Sequence, residues 1–261
     1  MVPPFRRIAD DLRTEILDGR LAPGEKLPSE NDLASRYDTT RTTVRKAIAL
    51  LRAEGHVVSS QGAKTHVRKR PAIMMVSTGT QWRSRREGGI ASLNVELADQ
   101  GFNAEQRLVE VTQEPASGEV AAALGLSGGQ AVIVRRREVL VDGEPIQLSD
   151  GYYPADLFAR TPVAEARRIK GGVAGYYEDV MGGRIARFVE QVSIRMPTPG
   201  ESATLRIPPG VPIARTLRIA YDGEGRAVEL LDSVVPGDAI TFEYVIDVPP
   251  PKRAQEGSAG E

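Results

Sequence analysis

The chain has no cysteine in 261 residues, which excludes disulfide staples and thiolate metal sites but leaves the compartment open. Histidine is nearly absent too, with only His56 and His66, both close to the N-terminal quarter. Acid–base chemistry would have to run on carboxylates, Lys or Tyr. No paired-carboxylate, metal-ligand or nucleophile spacing is present, nor a glycine-rich phosphate loop between a strand and a helix. We therefore expect a non-enzyme with no cofactor and no metal. No run approaches the ~18 consecutive apolar residues of a membrane span. The chain opens on an amphipathic stretch instead of a signal-peptide hydrophobic run, so a membrane partner is not expected.

What is present is a local excess of positive charge. The whole chain carries a net charge of −1, yet residues 1–70 hold 14 Lys and Arg against 9 Asp and Glu. Within residues 41–70 there are eight basic residues and a single acidic one, Glu54. A near-neutral protein with one basic module suits local binding of a polyanion, while the remainder does something else. The length allows about two domains by the prior of roughly 100–200 residues each. With 41% hydrophobic residues, each can build a core.

The basic module has a periodic order. Phe5, Ile8, Ala9, Leu12 and Ile16 recur at helical spacing and form one stripe, ending near Gly19. Ser29 with Asp32 reads as a capping pair opening a second helix. Thr40 can cap a third, and Asp38 sits in the turn between them, where a left-handed backbone is often needed. In the third helix Val44, Ala47, Ile48 and Leu51 face a core. Arg41, Arg45 and Arg52 occupy the adjoining flank, with Thr42 and Lys46 further round. Arg pairs bidentately with a guanine edge, and Thr can contact a phosphate or a thymine methyl, so this helix suits a DNA major groove. Two short strands, Val57-Val58-Ser59-Ser60 and Thr65-His66-Val67-Arg68, then enclose the loop Gln61-Gly62-Ala63-Lys64.

The remaining residues contain an internal pseudo-repeat. SGEVAAALGLSGGQAVIVRRREVLVDGEPI (117–146) can be laid on TPGESATLRIPPGVPIARTLRIAYDGEGRAV (198–228) at an offset of 81 residues over most of its length. Leu124 aligns with Leu205, Gly129 with Gly210, Val132 with Ile213 and Arg137 with Arg218. Each copy reads as a short capped helix, a Gly- or Pro-rich turn, a strand, a hairpin turn and a returning strand. Two copies predict one antiparallel sheet with helices on one side, an α+β fold. Glu105 to Thr112 reads as a further strand. Ile90, Leu93 and Leu97 recur at helical spacing before Gly101. Arg135 and Arg137 are two apart on a strand and point to the same face, where guanidinium groups can clamp a phosphate or carboxylate.

FRRIADDLRTEILDGRLAPGEKLPSENDLASRY, TTRTTVRKAIALLRAEGHVVSSQG and THV resemble the winged helix-turn-helix of the GntR family of bacterial transcription regulators. The resemblance covers about residues 4–68 and implies DNA contacts from Thr40, Arg41, Thr42, Thr43 and Arg45, and from the wing at Gly62 with Lys64 beside it. Asn31 departs from the usual Arg, Asp38 from the usual turn Gly, and Lys64 and His66 from the usual Gly and Phe of the wing. VRRREVLVDGEPIQLSDGYYPADLF and LRIPPGVPIARTLRIAYDGEGRAVELLDSVVPGD resemble the effector-binding (UTRA) domain of the HutC-type branch, whose fold is related to chorismate lyase. That resemblance implies a dimerising domain with a small-molecule pocket, often for an anionic metabolite, here lined by Arg135, Arg137, Gln147 and Glu229. Gln147 stands where an acid is common and Val235 where Tyr is common, which argues against a hexosamine phosphate.

The expected organisation is a DNA-binding domain at 1–68, a linker and entry segment at 69–87, an effector-binding and dimerisation domain at 88–248, and a disordered Pro-rich tail at 249–261. The resemblance implies a cytoplasmic homodimeric repressor that binds double-stranded operator DNA and answers to a small molecule. The alternative is a constitutive repressor whose second domain only dimerises.

Overall fold

The structure, a computed structural model, describes residues 2–58, 65–69, 73–76, 97–98 and 100–244. Gly62 and Lys64 of the wing loop, most of the 89–101 helical stretch and the 249–261 tail lie outside the described residues.

The N-terminal unit is three helices and a hairpin: α1 (Pro4–Leu17), α2 (Glu30–Arg36), α3 (Arg41–Ala53), β1 (Val57–Val58) and β2 (His66–Val67). The local signals act as the sequence predicts. Ser29 accepts from the Asp32 N–H while Asp32 accepts from the Ser29 N–H, closing a capping box. Thr40 caps α3 by accepting from the Thr43 N–H, and Asp38 takes the left-handed turn conformation at φ 46°. Ile8, Ala9 and Leu12 of α1 meet Leu33 of α2 and Val44, Ala47, Ile48 and Leu51 of α3 in one core. Truncating a fully buried member such as Leu12 to Ala would cost about 2–5 kcal/mol. Glu15, buried on α1, pairs with Arg36 of α2. Arg13 of α1 donates to Glu54 at 2.8–2.9 Å, fastening the far end of α3.

The C-terminal unit is a six-stranded antiparallel sheet in the order β4-β5-β6-β9-β8-β7. Its strands are β4 (Ala104–Pro115), β5 (Ala131–Val141), β6 (Glu144–Pro154), β7 (Ile185–Arg195), β8 (Ile213–Asp222) and β9 (Ala227–Pro236). The pseudo-repeat is structural and extends upstream. β4, α4 (Gly118–Leu124), β5 and β6 make one half; β7, α7 (Pro199–Thr204), β8 and β9 make the other. The halves join where β6 pairs with β9, with Asp150 opposite Asp232. Three short elements, α5 (Ala155–Phe158), a 3-10 turn at Pro162–Ala164 and α6 (Gly172–Asp179), separate them.

Helices on one side of the sheet were expected; the structure has them on both. Side chains alternate across a strand. Val132 and Val134 meet α4 on one face, through Val120 and Leu124. Ile133 and Tyr153 meet Phe158 of α5, Val163 and Val173 of α6 on the other. The repeat revealed only its own helices, α4 and α7. The elements that cover the second face come from the unrepeated segment between the halves.

The linker segment contributes β3 (Ile73–Val76), which pairs in parallel with the last strand, β10 (Ile240–Glu243), outside the main sheet.

Candidate nucleic-acid interface and effector pocket

On α3 the side chains of Arg41 and Arg45 are 58% and 60% exposed, one helical turn apart on the same face. Thr42 is exposed beside them. Thr40 and Thr43 are joined by a 3.0 Å hydroxyl contact, so part of their bonding capacity serves the cap. Glu30, in the first turn of α2, holds both arginines: Arg45 Nε donates to it at 2.8 Å and Arg41 Nη2 at 3.4 Å. The sequence reading missed Glu30. The contact joins two helices across a turn, and only the packing of α2 on α3 brings it into reach. Exposed pairs of this kind contribute about 0–1 kcal/mol, so they orient the two guanidiniums without locking them in place. The other basic flank residue, Arg52, is a full two turns further along the helix.

The face of the sheet beneath α5 and α6 carries a polar cluster inside an otherwise apolar layer. Strand parity and register place Arg135, Arg137, Gln147, Ser149, Gly151, Tyr153, Glu229, Ser233 and Arg218 on this one side. Gly151 is required there, because a Cβ would lie 2.3 Å from the Tyr153 hydroxyl. Tyr153 is fully buried, and burial pushes its phenol up to about 12. Ser233 and Ser149 hydroxyls meet at 3.1 Å across the β6–β9 seam.

The two arginines expected to act as a joint clamp have different roles. Arg135 is buried, and its guanidinium is committed to backbone. Nη1 donates to the carbonyls of Val163 at 2.7 Å and Glu165 at 2.8 Å, and Nη2 to that of Arg167 at 2.5 Å. It shapes the segment between α5 and α6 instead of presenting a fork to a ligand. The sequence placed both arginines on one face but could not show that a loop would return to claim one of them.

Arg137 is the opposite case. Its Nε and Nη2 are buried and have no acceptor among the described residues. These two N–H groups form the side-on fork that a carboxylate or phosphate accepts from in parallel. Arg215 on the other face shows the same fork in use: Nε and Nη2 donate to the two carboxylate oxygens of Asp232 at 2.9 and 2.7 Å. Around Arg137, the Tyr153 hydroxyl and Gln147 Oε1 are likewise buried without a partner among the described residues. Buried polar atoms are overwhelmingly paired in folded proteins, so three such side chains in one cluster call for an explanation.

Glu229, 4% exposed, completes the cluster. Burial pushes its carboxyl above the usual range, opposed by the charges of Arg218 and Arg137 and by the N–H of Ala174 in α6. Arg218 Nη2 stands 3.7 Å from Glu229, with its guanidinium over the Phe188 ring at 5.2 Å. Arg218, Ser149 and Tyr153 were not picked out as site residues from the sequence. The repeat alignment of Arg218 with Arg137, together with strand parity, was the signal that pointed to Arg218. No group of three or more His, Asp or Glu among the described residues is arranged to hold a metal ion.

A basic helix presented by a winged helix-turn-helix, joined to a separate α+β domain, defines a DNA-binding regulator of two modules. The chain belongs to the bacterial regulatory proteins of the gntR family, whose pattern matches residues 4–67, and residues 99–241 match the UTRA domain. It is 31% identical over 225 residues to an uncharacterised HTH-type transcriptional regulator of Rhizobium meliloti, covering 86% of this chain and 87% of that one. It is 25% identical over 246 residues to the HTH-type transcriptional repressor NagR of Bacillus subtilis, covering 94% and 96%. The crystal structure of PhnF from Mycobacterium smegmatis superimposes with a TM-score of 0.57 at 25% identity, covering 93% of this chain and 100% of that one. The chain is a transcriptional regulator of this type.

Proposed function

We propose that the chain is a ligand-responsive repressor that binds an inverted-repeat operator as a homodimer, with its affinity set by a small anion seated at Arg137. The observation that carries this reading is the buried side-on fork of Arg137, which has no acceptor among the described residues and stands beside Tyr153, Gln147 and Glu229. A wall serving only dimerisation has no need of unpaired polar atoms, which each cost about 1–3 kcal/mol when buried. A ligand that supplies their partners recovers that cost. Arg137 and Glu229 stay in the proposed effector set, Gln147 reads a donor on the ligand, and Arg135 acts indirectly by holding the 163–167 segment. The likeness to NagR, a repressor, supports the sign of regulation. As an operator-binding regulator the protein works in the cytoplasm, without catalysis.

On the DNA side, Arg41 and Arg45 read bases, Thr40, Thr42 and Thr43 position the helix, and the wing loop with Gly62 and Lys64 follows the adjacent groove. One recognition helix reads only a few base pairs, so a dimer and a symmetric operator follow. The experiment is a thermal-shift screen of small carboxylates and phosphates on the wild type and on Arg137→Gln. A compound that binds only the native state raises its stability. We expect at least one anion to shift the wild type and not the variant, and to change operator affinity. An equal shift in both would remove Arg137 from the site. Operator binding unmoved by every stabilising compound would favour the constitutive alternative.

A further inference from the structure

The end of the recognition helix touches the C-terminal unit through bare backbone. After α3 the chain turns at Gly55, and a Cβ there would lie 2.3 Å from Val211 Cγ2. From the other side, a Cβ on Gly210 would fall 1.7 Å from the carbonyl oxygen of Ala53, the last residue of α3. Neither surface has room for a methyl group. Gly210 occupies the turn between α7 and β8. Its repeat mate Gly129 has the same left-handed backbone, φ 82° against 80°, but nothing within 4 Å of its Cβ position. The left-handed turn therefore belongs to the repeat, whereas the contact belongs to the second copy alone.

Neighbouring bonds brace this contact. The Gly237 N–H donates to the Pro212 carbonyl at 2.8 Å, joining the turn to the one after β9. There Asp238 accepts from Arg68, the first residue after β2; the two side chains are only 17% and 14% exposed. Ile73 then donates to the Ala239 carbonyl at 3.3 Å, and β3 runs on along β10. The linker is thus held on the same patch that receives the helix end. β8 begins at Ile213, directly after the turn, and carries Arg218 to the polar cluster.

We propose that the 208–212 turn with Asp238 is an intramolecular docking surface for the C-terminal end of the recognition helix. Docking there presents the winged helix to DNA in a fixed orientation. This rests on the regulator reading above, but requires no known effector. A docked head has already lost the orientational freedom that a tethered one must surrender on binding DNA, so undocking weakens operator affinity. A ligand that moves β8 through Arg218 shifts the same equilibrium, and it can do so only through its differential affinity for the docked and undocked states.

The repeat supplies the control. Gly210→Ala and Gly129→Ala introduce the same strain at positive φ, and only the first collides with Ala53. Hydrogen exchange on the full-length protein is expected to rise in segments 50–58 and 206–212 for Gly210→Ala, and to stay at wild-type level there for Gly129→Ala. Operator affinity is expected to fall about 5-fold or more in Gly210→Ala relative to Gly129→Ala, the lower end of ordinary coupling. Asp238→Asn, which leaves the turn backbone intact, should show the same pattern more weakly and serves if Gly210→Ala does not fold. Unchanged exchange in both Gly210→Ala and Asp238→Asn overturns the docking surface. Raised exchange with operator affinity equal to or above the Gly129→Ala control overturns its role in DNA binding. A wild-type protein that selects no sequence from a random DNA pool refutes the regulator reading instead, and the exchange pattern still decides docking.

Discussion

Replacing Arg135 and Arg137 one at a time by alanine should separate a structural cation from one proposed to bind ligand two residues away. Arg135 makes three charge-assisted hydrogen bonds to the carbonyls of Val163, Glu165 and Arg167. Without it, the carbonyls of Glu165 and Arg167 can be rehydrated, since both residues are exposed, while Val163 is fully buried. One stranded buried carbonyl costs about 1–3 kcal/mol, and the lost packing of a long buried side chain adds to that. Relief of the desolvated charge offsets part. The net expectation for Arg135→Ala is a loss of roughly 2–4 kcal/mol, which for a unit of this size lowers Tm by roughly 5–15 °C. Arg137→Ala removes a fork that has no acceptor among the described residues, and Arg218 still faces Glu229. Relief of the two unpaired N–H groups is opposed by the lost packing of a long side chain, so the expected net effect is no loss larger than about 1 kcal/mol. The assay is thermal unfolding of each variant without ligand, followed by titration of whichever anion stabilises the wild type. We expect Arg135→Ala to melt early yet retain some ligand response, and Arg137→Ala to melt normally with the response lost. Equal losses of Tm, or a neutral Arg135→Ala, would refute the division of roles.

Tyr153→Phe removes a buried hydroxyl without a partner among the described residues and should leave the ligand-free protein as stable or up to about 1 kcal/mol more so, checked by urea titration. Glu201, held by Arg195 and by the N-cap of α7 at Thr198, has its carboxyl pushed down to about 2. A depressed pKa contributes stability that is present above the ordinary range near 4.5 and lost as pH falls toward 2. With a discount for solvent screening, Glu201→Gln should cost about 1–2 kcal/mol at pH 7, and the difference from wild type should close between about pH 4.5 and 2 in acid-unfolding curves. For DNA, Arg45→Ala should cost on the order of 1–3 kcal/mol of operator affinity at fixed salt, whereas Glu30→Gln, which frees Arg41 and Arg45, should leave it unchanged or modestly higher. Filter binding at several salt concentrations would also show the steep loss expected from counterion release, and a flat salt response would remove the basic helix from the interface.

Much of this protein is written in local order. Ser29 and Thr40 announce the starts of α2 and α3, and the stripe of Val44, Ala47, Ile48 and Leu51 faces the core it was expected to face. These features are legible because a cap and a helical face depend on residues three or four apart. The repeat was visible for the same reason, since two copies of one local pattern must make similar hairpins, and Arg137 and Arg218 occupy matching places in them. Tertiary structure decided what no short window contains. The placement of α5 and α6 over the second face gave Arg135 to three carbonyls and left the fork of Arg137 buried beside Tyr153 and Glu229. The packing of α2 on α3 brought Glu30 to both Arg41 and Arg45. Two glycines in matching turns became different residues, Gly129 facing open space and Gly210 pressed against the end of α3. A side chain's partners are set by long-range approach, where the sequence specifies which groups are available but only the packed chain decides which of them meet.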